Sequence, residues 1–141
     1  AAHHHLPVNP APEMRELNFG IWEGYTFDEM AKEWPEELKQ WRKSPFTVSP
    51  PEGETLKELR ERICDFLRET AKKHRQGNIL VVTHAGTIRA ILATILHLEG
   101  DLYWKFKIGN TSLTIIDYDG KSELHRSNAF IVSVNDTCHL N

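Results

Sequence analysis

A histidine closing an aliphatic run and a glutamate set among aromatic residues are the groups in this chain best suited to chemistry. In the stretch NILVVTHAGTIRAIL, Asn78 to Leu92, the run Ile79 to Val82 leads into His84, and Ala85-Gly86-Thr87 follow at once. Gly86 lets backbone approach a ligand closely, and the amides that open a helix at Thr87 attract anions. A phosphoryl group would be well placed beside His84, Gly86 and Thr87. The imidazole could equally do no more than cap the strand end through a hydrogen bond.

The stretch EMRELNFGIWEGYTFDEM, Glu13 to Met30, is the second candidate. A carboxylate desolvated beside Leu17, Phe19 and Trp22 holds its proton more readily and can donate it near neutrality, which singles out Glu16 and Glu23; ordinary solvated acids are the plain alternative. In PEGETLKELRERI, Pro51 to Ile63, Glu54 precedes a helix start, where it favours the helix dipole, while Arg60 and Arg62 are expected to pair along an exposed face. Asn110-Thr111 and the tail NDTCHL, with His139, place polar groups after strand-like runs. They read equally well as turn residues. Trp34, Trp41, Trp104 and the tail around His139 could border a pocket, although aromatic residues at helical spacing more often belong to a core. His3-His4-His5 reads as a tag remnant or as a native helix end leading into Leu6, and makes a poor metal site, because three adjacent side chains rarely converge on one ion.

Elements that must position these groups follow from the pattern. Ile79 to Val82 has no polar alternation, so it predicts a strand buried on both faces, as in the middle of a parallel sheet, with His84 at its carboxyl end where such sheets collect ligands. Thr26 with Glu29, and Thr55 with Glu58, have capping-box spacing and predict two helix starts. Pro35 opens a short helix through Trp41. Ser44 to Gly53 is a proline-rich ordered loop. Leu56, Leu59, Ile63, Phe66 and Leu67 form the apolar face of the longest helix, which runs to Lys72-Lys73-His74-Arg75 with Gly77 as a left-handed cap. Thr87 to Leu98 is an apolar helix, and Ser112 to Tyr118 and Ala129 to Val134 are strands, the first followed by an Asp119-Gly120 turn.

With 141 residues, 40% of them hydrophobic, the chain suits a single domain, residues 1–141. A net charge of −3 with mixed signs leaves no basic footprint for nucleic acid or an anionic membrane. No apolar run is long enough to span a bilayer. Cys64 and Cys138 match no metal or redox spacing, which predicts free thiols in a reducing cytoplasm. No histidine or carboxylate cluster has metal-ligand spacing, and neither a metal nor a cofactor is expected.

MRELNFGIWEG, PEGETLKELRERI, VVTHAGTIRAIL, GNTSLTIIDYDG and VNDTCHLN, taken in order along the chain, resemble the histidine phosphatase superfamily, the phosphoglycerate mutase-like proteins. The likeness is greatest to small bacterial phosphatases of the α-ribazole phosphatase type and their cofactor-independent phosphoserine phosphatase relatives. It implies a three-layer α/β/α sandwich with a mostly parallel sheet. It also implies phosphomonoester hydrolysis through a phosphohistidine, with a carboxylate that protonates the leaving oxygen and then activates water. A second histidine and two arginines hold the phosphoryl oxygens. The resemblance assigns the carboxylate to Glu16 and the second histidine to His84; Gly86 and Thr87 at the helix opening, Asn110 after a strand-like run and His139 in the tail join them, from their own positions, as candidate phosphate or substrate contacts.

The family pattern begins with a strand ending in Arg-His-Gly, which carries the nucleophile, and no Arg-His-Gly occurs in these residues. The resemblance places Ala1 to Val8 after that segment, with His3 to His5 native. Its expectation is a domain lacking a central strand, inactive or nearly so by itself, with an apolar sheet edge suited to homodimer formation. The expected partner is a small phosphorylated metabolite. An α-ribazole phosphatase-like activity is the first expectation, with phosphoserine and phosphoglycerate also open as substrates, and a phosphoglycerate mutase or a non-catalytic phosphate-binding module are the alternatives.

Overall fold

Both threonine–glutamate pairs open helices, as their spacing predicts. The computed structural model describes residues 5–140. Thr26 caps α1 (Phe27–Glu33), its hydroxyl accepting the Glu29 amide at 3.3 Å while the Glu29 carboxylate accepts the Thr26 amide at 2.8 Å. Pro35 follows as the first residue of α2 (Pro35–Lys43). Thr55 forms the same reciprocal cap with Glu58 on α3 (Leu56–Lys73), the longest helix. It ends at His74, and Gly77, although left-handed at φ 102°, lies in the following turn rather than at the cap. A fourth helix, α4 (Ala85–Leu96), starts two residues earlier than the sequence pattern predicts, with His84 at its N-cap. It closes on His97, whose backbone is left-handed.

Removing the Thr55 hydroxyl with Thr55→Ala is expected to cost about 1 kcal/mol, read as a lower urea midpoint at unchanged slope. Hydrogen bonds from the Thr55 amide and hydroxyl hold the Glu58 carboxyl below its ordinary value of 4.5. A lowered folded-state value means that this stabilisation is complete above pH 4.5 and is lost as pH falls through the lowered value. The stability difference between Thr55→Ala and the parent chain should therefore shrink in acid.

The strands β1 (Leu113–Tyr118) and β2 (Ala129–Asp136) pair antiparallel, with Ile116 opposite Ile131 and Tyr118 opposite Ala129. Gly120, at φ 64°, turns the chain after β1, and the Asp119 carboxylate accepts the Lys121 amide. Ile116, Tyr118 and Ile131 pack toward the core, while Phe130 and Val132 stand on the exposed face.

This pair is the whole sheet among the described residues, so the mostly parallel sheet expected from the sequence is not formed there. Ile79 to Val82, read as a strand buried on both faces, has no ladder partner. Leu80 is 76% and Val82 89% exposed, and only Val81 packs against the core. The reason is physical: an aliphatic run becomes a buried strand only when neighbours satisfy its backbone and cover both faces.

The core joins the apolar faces of α3 and α4 to an aromatic group between α1, α2 and the Gly100–Lys105 turn. Leu56, Leu59 and Ile63 are fully buried, as the periodicity predicts. Trp41 is completely buried and meets Phe19, Trp22 and Trp104 at ring distances of 5.7, 5.7 and 5.0 Å. Cys64, half-buried, and Cys138, exposed, are both free. No helix is long and apolar enough to cross a membrane, and no group of three potential metal ligands occurs among the described residues. His3 and His4 lie outside those residues, and Leu6 to Val8 form no regular element.

Candidate active site

Glu16 stands on an irregular loop between two short helical turns, Pro12–Met14 and Gly20–Trp22, with Met14 and Leu17 buried on either side. Those apolar anchors leave the carboxylate between them half-buried. It accepts the Leu17 amide at 2.9 Å and, across the molecule, the Gly86 amide at 3.0 Å. At the opening of α4 the Gly86 amide therefore engages a carboxylate of the protein itself, that of Glu16.

Gly86 is required for this approach. A β-carbon at that position would lie 2.1 Å from Oε1 of Glu16 and 2.8 Å from its carboxyl carbon. Thr87, fully buried, donates its hydroxyl to the Arg15 carbonyl at 2.9 Å, and Thr83 donates to the Met14 carbonyl. Both threonines thus tie the Glu16 loop to the start of α4.

A cavity of about 430 Å³ opens beside this contact, lined by Glu16, Gly86, Arg89, Tyr103, Trp104 and Phe27 among others. Its size and mostly apolar wall suit a small organic ligand. The buried Tyr103 hydroxyl donates to the Gly86 carbonyl at 3.0 Å. Burial, reinforced by the Glu16 carboxylate, pushes the Tyr103 phenol well above its ordinary value, so it remains a neutral donor. Arg89 donates to the Phe106 carbonyl at 2.9 Å, which fixes its guanidinium at the cavity wall.

Of the residues singled out from sequence, Glu16 and Gly86 meet in one wall. His84 is exposed at the N-cap of α4, two residues before Gly86, and its side chain makes no capping bond. Asn110 and His139 are exposed, and neither lines the cavity. Glu23 accepts the Phe19 amide on the surface. Trp104 borders the cavity, whereas Trp41 is core and Trp34 is half-buried.

Two parts of the arrangement were not anticipated from sequence. Tyr103 comes from Gly100–Lys105, a turn without periodicity, and nothing in its pattern marks it. Arg62 is not on an exposed face as expected: its side chain is 17% exposed and pairs with Glu54, itself 16% exposed. Its position three residues after the buried Leu59, at the border of the apolar stripe, is the signal that would have found it.

The sequence pattern of the Histidine phosphatase superfamily (branch 1) matches residues 1–129. Phosphoserine phosphatase 1 of Hydrogenobacter thermophilus is 29% identical over 135 residues, which cover 96% of this chain and 61% of the relative. The adenosylcobalamin/alpha-ribazole phosphatase of Escherichia coli K12 is 27% identical over 116 residues, covering 82% of this chain and 57% of the relative. The chain spans about three fifths of the length of the curated relatives it matches. Among solved structures, Bacillus stearothermophilus YhfR superposes with a TM-score of 0.84 at 23% identity, covering 99% of this chain and 67% of that one. At that identity the likeness concerns the fold, a mixed helix and strand architecture of phosphoglycerate mutase-like type.

Proposed function

The chain belongs to the histidine phosphatase superfamily, and we propose that its Glu16 and His84 serve phosphomonoester hydrolysis through a phosphohistidine. The observation that carries this reading is the Glu16 carboxylate fixed on the Gly86 amide, two residues from His84 and facing a cavity. A leaving alkoxide needs a proton donor at its oxygen, and Glu16 supplies it before activating the water that cleaves the phosphohistidine. His84, exposed beside the opening of α4, is free to hold phosphoryl oxygens, with the exposed Asn110 and His139 as further substrate contacts; Gly86 and Thr87, whose amide and hydroxyl are taken by Glu16 and the Arg15 carbonyl, serve the site by holding the Glu16 loop instead. No metal or cofactor takes part in this scheme.

The nucleophile is the family's Arg-His-Gly histidine, a triplet absent from these 141 residues. Without it no covalent intermediate forms by this route, so the 141 residues alone are expected to bind phosphate or vanadate without turnover. The second reading is a phosphate-binding module, which the exposed His84 at the start of α4 would also serve. Incubation with p-nitrophenyl phosphate, alongside melting curves with phosphate and vanadate, tests both. Turnover by the 141 residues alone overturns the need for the triplet. Failure of both anions to raise the melting temperature overturns the anion site. Binding here, with turnover once an Arg-His-Gly segment is supplied, separates the phosphatase from the module.

Phosphoserine and α-ribazole phosphate, which the relatives' names carry, are the first substrates to try; isomerisation of phosphoglycerate without release of phosphate would favour a mutase. The free thiols support a reducing, cytoplasmic setting. In the same reading Ile79 to Val82 acts as a strand of a three-layer α/β/α sandwich once an edge partner is present. Its exposed Leu80 and Val82 support pairing with a second copy. Light scattering is expected to show a dimer of these 141 residues, and a monodisperse monomer would remove this pairing.

A further inference from the structure

Arg62 uses every donor it has on one short stretch of backbone and one acid. Its Nε donates to Oε2 of Glu54 at 3.1 Å, and Nη2 donates to Oε1 of Glu54 at 2.6 Å. The remaining N–H groups reach the carbonyls of Glu13, of Arg15 at 3.0 Å and of Glu16 at 2.9 Å. All five guanidinium donors are thereby satisfied. Glu54 completes the clamp by accepting the Asn18 amide at 2.9 Å, while its own amide donates to the Asn18 carbonyl at 3.0 Å.

We propose that Arg62, backed by Glu54, is the positioning residue for Glu16. Two sets of bonds hold the loop from opposite sides. From α3 the Arg62 fork fixes the carbonyls of residues 13, 15 and 16; Thr83, just before α4, and Thr87 in its first turn fix those of 14 and 15. A loop held only at α4 would be free to pivot, and the Glu16 carboxylate would swing off the Gly86 amide. The planar fork matters as much as the charge. Lysine offers three donors around a point and cannot serve a carboxylate and three carbonyls together. The inference rests on the proposed role of Glu16, but its first test does not.

That test uses the 141-residue chain labelled with ¹⁵N. The Leu17 and Gly86 amides both donate to the Glu16 carboxylate, so their shifts should follow its ionisation together. In Arg62→Gln and Arg62→Lys the Gly86 response is expected to be largely lost, while core signals such as Leu92 remain native. An unchanged Gly86 response in either folded variant overturns the proposal. Should Arg62→Gln fail to fold, Glu54→Gln retains an acceptor for Asn18 but weakens the clamp, and it carries the same expectation.

The second arm uses protein that turns over phosphomonoesters. There Arg62→Lys is expected to lower kcat by about tenfold or more while KM moves little, the pattern of a group displaced in the transition state. Equal loss in kcat and stability alone, with Gly86 still titrating, would make the clamp purely structural. If Glu16→Gln retains full turnover, the catalytic reading of Glu16 fails, and the Gly86 titration still decides the positioning role.

Discussion

Glu16→Ala is expected to lower hydrolysis of an alkyl phosphomonoester by at least about two orders of magnitude, and His84→Ala by a similar factor, the scale set by losing a general acid or a charge-stabilising group. The measurement is steady-state turnover in protein where an Arg-His-Gly nucleophile acts with these residues. The two variants should separate on the leaving group. A p-nitrophenolate departs without a proton, whereas an alkoxide does not, so in kcat/KM, which reports transfer to the histidine rather than the later water attack, Glu16→Ala should lose far less on p-nitrophenyl phosphate than on phosphoserine. His84 is proposed to hold the phosphoryl oxygens, which are the same in both substrates, so its loss should be equal on both. Near-normal activity in either variant removes that residue from the mechanism. A Glu16→Ala deficit in kcat/KM independent of the leaving group would remove the proton-donor role from Glu16 and leave it the water-activating one alone. Geometry supports the first outcome: the carboxylate faces the cavity and is restrained by the Leu17 and Gly86 amides.

Trp41→Ala is expected to destabilise the fold by roughly 3–5 kcal/mol, the usual cost of emptying a fully buried aromatic position. That is a large part of the ~5–15 kcal/mol that holds a domain of this size together. Trp41 is completely buried, and Phe19, Trp22 and Trp104 meet it edge-on. Phe19 and Trp22 sit just beyond Glu16 in sequence, and Trp104 lines the cavity, so the cluster also forms the floor under the site. Equilibrium urea unfolding reads the effect as a lower midpoint. A loss below ~1 kcal/mol would mean that the neighbours collapse into the space and that the aromatic group is not the anchor of this half of the molecule.

Local physics explains which features were legible beforehand. Thr26 with Glu29 and Thr55 with Glu58 state their helix starts within four residues, because a capping box is satisfied by the backbone next to it. The buried stripe Leu56, Leu59, Ile63 follows from helical geometry alone. The sequence marks Gly86 as a place where backbone can approach a ligand closely. The pattern could not say that the close group is Glu16, seventy residues earlier in the chain.

Arg62 and Ile79 to Val82 mark the other limit. From sequence, Arg62 is one more charge on a helix, and only folding brings three loop carbonyls and Glu54 around its guanidinium. Ile79 to Val82 carries the composition of a buried strand, yet burial depends on a neighbouring strand, and among the described residues no ladder reaches it. The chain's own order of residues therefore determined helix boundaries, caps, the core stripe of α3 and the family resemblance, because each depends on interactions within a few residues or on an ordered set of short motifs. Tertiary structure alone decided what Glu16 binds, where Tyr103 stands, what Arg62 holds and whether the aliphatic run is covered, because those contacts close over tens of residues and exist only once the helices have packed.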